Sequence, residues 1–132
     1  MVGIGPKPCA WYEEGGDAFT RYDDSFRPHA VEQVLARHPN SVIDIGGFHT
    51  VLKDPEAFLR VQSALAPYRN VTMLLPSRDM EVSLCVLKAR RHEPLVRWVL
   101  NSPCNGLLAK HTVYVDDKSP DQVRDEVIAL CT

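Results

Sequence analysis

Three short apolar runs constrain what this chain can fold into: residues 42–45 (Val-Ile-Asp-Ile), 71–75 (Val-Thr-Met-Leu-Leu) and 112–115 (Thr-Val-Tyr-Val). Their length and their Val, Ile, Thr and Tyr content suit buried strands. Stretches with helical spacing separate them, so neighbouring strands cannot close as tight hairpins and parallel pairing through crossovers is left. The expected fold class is therefore α/β, a three-layer sandwich around a short parallel sheet, formed as a single domain by residues 1–132. Residues 1–16 are rich in Pro and Gly and read as an irregular leader, with residues 1–4 as a strand stub.

The helical stretches carry their own punctuation. Ala30, Val31, Val34 and Leu35 form a stripe at helical spacing that Pro39-Asn40 closes. Asp54-Pro55-Glu56 opens a second helix as cap, first-turn proline and acid near the positive dipole end, with Phe58, Val61 and Leu65 facing inward. Ser77 is positioned to cap a third helix running to about Arg91, with Val82, Cys85, Val86 and Ala89 as its inner face. Ser119-Pro120-Asp121-Gln122 reads as a capping box for a last helix that buries Val123, Val127 and Leu130.

Charge and cysteine usage exclude several classes. A net charge of -2 provides no basic field for nucleic acid. No apolar run approaches membrane-spanning length, and the N-terminus lacks the basic-then-apolar pattern of a signal peptide, so the expectation is a cytoplasmic protein with no membrane partner. Cys9, Cys85, Cys104 and Cys131 are scattered without C-x-x-C spacing, and the histidines show no paired ligand spacing. Reduced thiols, three of them in core-like contexts, and no structural metal are expected.

From about Tyr22 onward the chain resembles the shikimate-kinase-like branch of small-molecule P-loop kinases. The resemblance rests on Phe26-Arg27 followed by the run ending in Gly46-Gly47, on Leu74-Leu75-Pro76 with its helix, and on the strand-Asp-Lys-Ser-Pro-helix segment from Thr112 to Leu130. It implies that Arg27, Gly46 and Gly47 hold the carboxylate and hydroxyls of an acceptor. It also implies a lid near Glu93-Pro94-Leu95-Val96, where the family's arginine has become an acid and Arg90, Arg91 and Arg97 flank the segment.

Yet no Gly-x-x-x-x-Gly-Lys-Ser/Thr run occurs, the segment that cradles the phosphates of ATP. With the phosphate loop and its strand and helix missing and the lid charge inverted, the charge stabilisation that drives phosphoryl transfer is lost. No ATP cofactor is expected. In the family's arrangement the missing strand lies between the strands at 42–45 and 71–75, leaving two unpaired inner edges. Either these strands pair directly, or residues 2–4 fill the slot, or another subunit does. A homo-oligomer or heteromer through the vacated edge is the resulting partner expectation.

The candidate chemistry centres on Asp44 and His49. An acid inside an apolar strand at the mouth of a sheet is either functional or the cap of a nearby helix, and both readings stay open. His49, just past Gly46-Gly47, is an acid–base partner for Asp44 or a surface loop residue. Arg27 suits an anion because a guanidinium forks onto carboxylate or phosphate; otherwise it is a solvated helix-start residue. Arg90-Arg91 is a second candidate anion clamp, though a basic helix end is favourable on dipole grounds alone, and Arg91 and Arg97 beside the expected lid are candidate substrate-binding residues. Asn105 and Lys110 are candidates for a polar rim.

The expected function is a degenerate small-molecule-kinase-like protein without ATP phosphotransfer. It would bind a small anionic metabolite, with acid–base elimination or cyclisation of a phosphorylated or sulfated intermediate as the coherent chemistry. The alternatives are a non-catalytic regulatory or assembly subunit of a heteromer, and a half-kinase completed in trans.

Overall fold

The computed structural model describes residues 26–131. Residues 1–16 with their strand stub, the aromatic-acidic stretches at 11–14 and 22–24, and Cys9 lie outside the described residues. The order is α1 (Arg27–Arg37), α2 (Pro55–Leu65), β1 (Thr72–Leu75), α3 (Met80–Lys88), α4 (Glu93–Asn101), α5 (Cys104–Leu108), β2 (His111–Tyr114) and α6 (Pro120–Leu130). The chain is thus mixed α/β, with a small parallel sheet in which Thr72 pairs with His111 and Leu75 with Tyr114.

Several local signals act as the sequence reading expects. Asp54 Oδ1 accepts from the Glu56 amide at 3.1 Å and Pro55 takes the first helical position of α2. The capping box of α6 closes in both directions: Gln122 N donates to Ser119 Oγ at 3.2 Å, and Ser119 N donates to Gln122 Oε1 at 2.8 Å. Each satisfies amide donors that a helix start leaves without partners.

The apolar run at 42–45 is a correction: it is not a strand. It stays extended without ladder pairing, alternating exposed Val42 and Asp44 with half-buried Ile43 and Ile45. Only Ile45 packs against the main core. A central parallel strand needs two apolar faces and a neighbour, and this run offers one face and a carboxylate.

Helix α3 is also shorter than the sequence suggests. Its cap is Asp79, not Ser77: Asp79 Oδ1 accepts from the amides of Glu81 at 2.8 Å and Val82 at 3.3 Å. Ser77 instead supports the turn, its Oγ accepting from Asp79 N at 3.1 Å and its N–H donating to Ser83 Oγ at 3.0 Å. The chain leaves α3 at Lys88 because Glu93-Pro94 starts α4, where the proline ring fits only a first turn. The segment read as a lid is therefore the opening turn of a helix. The inner face of α3 is corrected too: Ser83 and Leu84 are buried, whereas Val82, Cys85, Val86 and Ala89 are exposed.

The main core lies between α1, α2 and α5, where Val31, Leu52, Ala57, Val61, Leu65 and Leu108 meet, with Leu35, Phe58 and Val71 packed around them. Lys110 is a structural clasp and no pocket rim. Its ammonium donates to the Leu65 carbonyl at 3.2 Å, the Ala66 carbonyl at 2.9 Å and the Tyr68 carbonyl, satisfying acceptors left open at the end of α2. The last helix is less buried than expected, since Val123, Val127 and Leu130 are only half-covered.

On the surface, Arg60 joins α2 to α1 through a two-pronged pair with Glu32, at 2.9 Å from Nε to Oε1 and 2.9 Å from Nη2 to Oε2. The hydrogen bonds from Arg60 hold the Glu32 carboxyl below its ordinary value. A lowered folded-state pKa contributes stability that is present at neutral pH and lost as pH falls through the folded value. Glu32→Gln is therefore expected to flatten the stability profile on the acid side of the ordinary carboxylate range, measured by urea unfolding from neutral to acid pH. Because the pair lies at the surface and is partly solvated, the effect is small.

Candidate functional site

Residues 44–52, the loop between α1 and α2, hold most of the positions singled out by sequence. Asp44 is exposed and accepts from the Gly46 amide at 2.9 Å, an Asx turn that reverses the chain. Gly46 follows at φ +72°, a left-handed conformation that a side chain would strain. The His49 amide closes the turn onto the Gly46 carbonyl at 3.3 Å, and the His49 side chain is exposed. Of the two readings of Asp44, the carboxylate here caps backbone, at its own turn instead of at a helix.

The far side of the loop is strapped to α5. Asn105 Nδ2 donates to the Gly47 carbonyl at 3.0 Å, and Thr50 Oγ1 donates to Asn105 Oδ1. A Cβ at Gly47 would sit 3.3 Å from Asn105 Nδ2, so the glycine permits this close approach. One residue earlier, Cys104 is buried with its thiol donating to the Leu52 carbonyl at 3.2 Å, while the Leu52 amide points to the sulfur at 3.5 Å. Cys104 thus lies in a helix facing the core, whereas Cys85 and Cys131 are exposed.

Arg27 is the largest departure from expectation. The sequence reading offers it to solvent or to an anion, yet only 5% of its surface is exposed. Its Nη1 donates to the Val51 carbonyl at 3.0 Å and its guanidinium lies 5.6 Å from the centre of the Phe48 ring. Phe48 in turn meets Trp98 of α4, with ring centres 5.6 Å apart and a tilt of 58°. The first helix, the loop and α4 are linked in series through these aromatic contacts.

The other arginines stand apart from this loop. Arg97 on α4 pairs with Glu93 one turn earlier at 3.1 Å and approaches Glu81 of α3 at 4.0 Å. Arg91 is exposed beyond the end of α3. The structure keeps Asp44, Gly46, Gly47 and His49 on one strapped loop, sets Arg27 of α1 against that loop at Phe48 and Val51, and places Arg91 and Arg97 on the α3–α4 unit. A shallow, open hollow of about 450 Å³ lies elsewhere, lined by Glu32, Leu59, Arg60, Ser63 and Ala64. Among the described residues no three His, Cys, Asp or Glu side chains gather as a metal would require.

Phe48, Thr50 and Trp98 escape the sequence reading. Their signal was weak, since an aromatic after a Gly-Gly pair says nothing of which helix it will meet. Asn105 was visible as a polar residue, but its role as a strap depends on the loop it reaches. Asn105→Ala is expected to cost about 1–2 kcal/mol of stability, because the Gly47 carbonyl and Thr50 hydroxyl both lose a partner. Thermal unfolding, with amide exchange across residues 46–52, measures this.

No protein-family model, curated protein or solved structure matches the chain. No described helix is long and apolar enough to cross a membrane.

Proposed function

We propose that this chain is an assembly subunit, a kinase-like half-domain of the cytoplasm that performs no ATP phosphotransfer alone and accepts a strand from another polypeptide along β1. The observation that carries the reading is the state of β1. Among the described residues β1 pairs with β2 alone. The carbonyls of Val71 and Leu75 accept from His111 and Val115, so the odd-numbered residues face β2. By the alternation of a parallel ladder, the amides and carbonyls of Thr72 and Leu74 are directed to the opposite edge.

The sheet face is uneven as well. Leu74 stands directly across from Val113 in register, yet it is 54% exposed while Val113 is fully buried. Helix α6 packs on the β2 side of the sheet. A strand added beside β1 would satisfy the Thr72 and Leu74 groups and cover the Leu74 side chain. The proposed finer architecture is the three-layer kinase-like sandwich, with that added strand in the vacated position.

The alternative, a small anionic metabolite held by Arg27, Gly46 and Gly47 with Asp44 and His49 moving a proton, has less support. Arg27 is buried against Phe48 and the Val51 carbonyl, and the Gly47 carbonyl is occupied by Asn105.

Leu74→Pro tests the proposal, since proline at 74 removes an outward amide and leaves the ladder to β2 in place. Purified from its own cells, the unaltered chain is expected to come with a stoichiometric second protein, and its Thr72 and Leu74 amides to exchange slowly. Leu74→Pro should lose that protein, while Leu107→Ala, an exposed apolar position on α5, should keep it. A chain that purifies alone with rapidly exchanging Thr72 and Leu74 amides overturns the reading.

A further inference from the structure

The strap between α5 and the 44–52 loop depends on a side chain that is chemically perishable. Of the asparagines Asn40, Asn70, Asn101 and Asn105, only Asn105 precedes a glycine. An asparagine loses its amide nitrogen when the backbone nitrogen of the next residue attacks the side-chain carbonyl carbon, and a glycine there leaves the approach open. Gly106 is exposed, and a Cβ built on it would meet nothing within 4 Å. Its amide, in the first turn of α5, donates to no group among the described residues. The attacking nitrogen is therefore neither shielded nor held.

The attacked side chain is held at both ends. Asn105 Nδ2 donates to the Gly47 carbonyl at 3.0 Å, which fixes the amide's orientation, and Oδ1 accepts from the Thr50 hydroxyl. The Asn105 backbone carbonyl accepts from Ala109 N at 3.0 Å, so the peptide joining 105 to 106 cannot swing while α5 keeps its turn. Yet α5 is only five residues long, and a helix of that length opens at low cost.

We infer that Asn105 is a site of spontaneous deamidation, gated by the strap it forms, and that its conversion irreversibly releases residues 46–52 from α5. Hydroxide takes the proton of the Gly106 amide, and the nitrogen attacks Asn105 Cγ. The N–Cγ bond forms as the Cγ–Nδ2 bond breaks, and Nδ2 leaves as ammonia. Water then opens the cyclic imide at either carbonyl, leaving an aspartyl or an isoaspartyl residue at position 105. Neither product carries the Nδ2 donor. A carboxylate oxygen now faces the Gly47 carbonyl, acceptor against acceptor, and that carbonyl loses its partner. The isoaspartyl product also reroutes the main chain through the former side chain, which disrupts the turn of α5. This site is separate from the β1 edge, and the inference does not rest on that surface.

The test incubates the folded full chain at mildly alkaline pH, beside a sample in concentrated urea, and follows each asparagine by peptide mapping with mass spectrometry. In the folded chain, position 105 is expected to convert ahead of 40, 70 and 101, yet more slowly than in urea. Thr50→Val removes the hydroxyl that holds Oδ1. It should speed conversion at 105 several-fold in the folded chain and leave the urea rate unchanged. Gly106→Ala, for which the space is open, should slow conversion at least several-fold in both samples. Asn105→Asp, which installs the aspartyl product directly, should raise amide exchange across 46–52 and leave exchange in α2 unchanged. An Asn105 that stays intact in the folded chain, or outlasts any of the other three, overturns the inference. So does a folded-chain rate that Thr50→Val leaves unchanged, or unaltered exchange across 46–52 in Asn105→Asp.

Discussion

Arg27→Ala is expected to lower the unfolding free energy by about 3 kcal/mol, or roughly 10 °C in thermal midpoint for a domain of this size. The guanidinium is buried and donates to the Val51 carbonyl at 3.0 Å, so truncation leaves a buried acceptor short of its partner, at about 1–3 kcal/mol. It also removes the packing of the arginine stem and the cation above Phe48. Arg27→Lys should recover little, since an ammonium does not reproduce the planar fork over the ring. The measurement is urea unfolding of the three chains, paired with titration of inorganic phosphate into the unaltered protein. A bracing role predicts a large stability change and no phosphate binding. Phosphate binding that Arg27→Lys abolishes without loss of stability would return the residue to the anion site that sequence suggests.

The second large effect lies in the core. Leu65→Ala is expected to cost about 3–4 kcal/mol, within the range for leucine truncations that leave a cavity. Leu65 ends α2 inside the cluster of Val31, Leu52, Val61 and Leu108, and its backbone carbonyl is one of those held by Lys110. The surroundings have little freedom to collapse into the gap, because α1, α2 and α5 all border this core. Thermal and urea unfolding should report the loss together, with amide exchange in α2 rising towards the global rate. A cost below about 1 kcal/mol would mean that the core relaxes and that close packing at this point is not required.

Sequence and structure agree where the physics is local. The Asp54 cap and the Ser119–Gln122 box are legible because each joins a side chain to an amide two or three residues away. Two of the three strand runs form, and they pair in parallel as the intervening helices require. The third fails at residue 44. There a turn within the loop competes with strand pairing, and the Asp44 carboxylate satisfies the Gly46 amide. Periodicity also misassigned α3. Val82, Cys85, Val86 and Ala89 make a good helical stripe, but the side that is buried carries Ser83 and Leu84. A sequence shows which faces are apolar and does not show which one finds a neighbour.

The candidate site divides in the same way. Asp44, Gly46, Gly47 and His49 share a loop because they are adjacent in the chain, and that adjacency was visible. Whether Arg27 reaches solvent depended on Val51 and Phe48, more than twenty residues away. Asn105 meets Gly47 across a separation of 58 positions. By itself, the sequence determined the α/β class, the caps of α2 and α6 and the absence of a Gly-x-x-x-x-Gly-Lys-Ser/Thr run, because caps, periodicity and motifs act over a few residues. Only the tertiary structure decided that Arg27 is buried, that residues 42–45 stay out of the sheet and that α3 buries Ser83 and Leu84 in place of the expected stripe. Those outcomes follow from competition for a limited buried volume, and contacts between distant segments settle that competition.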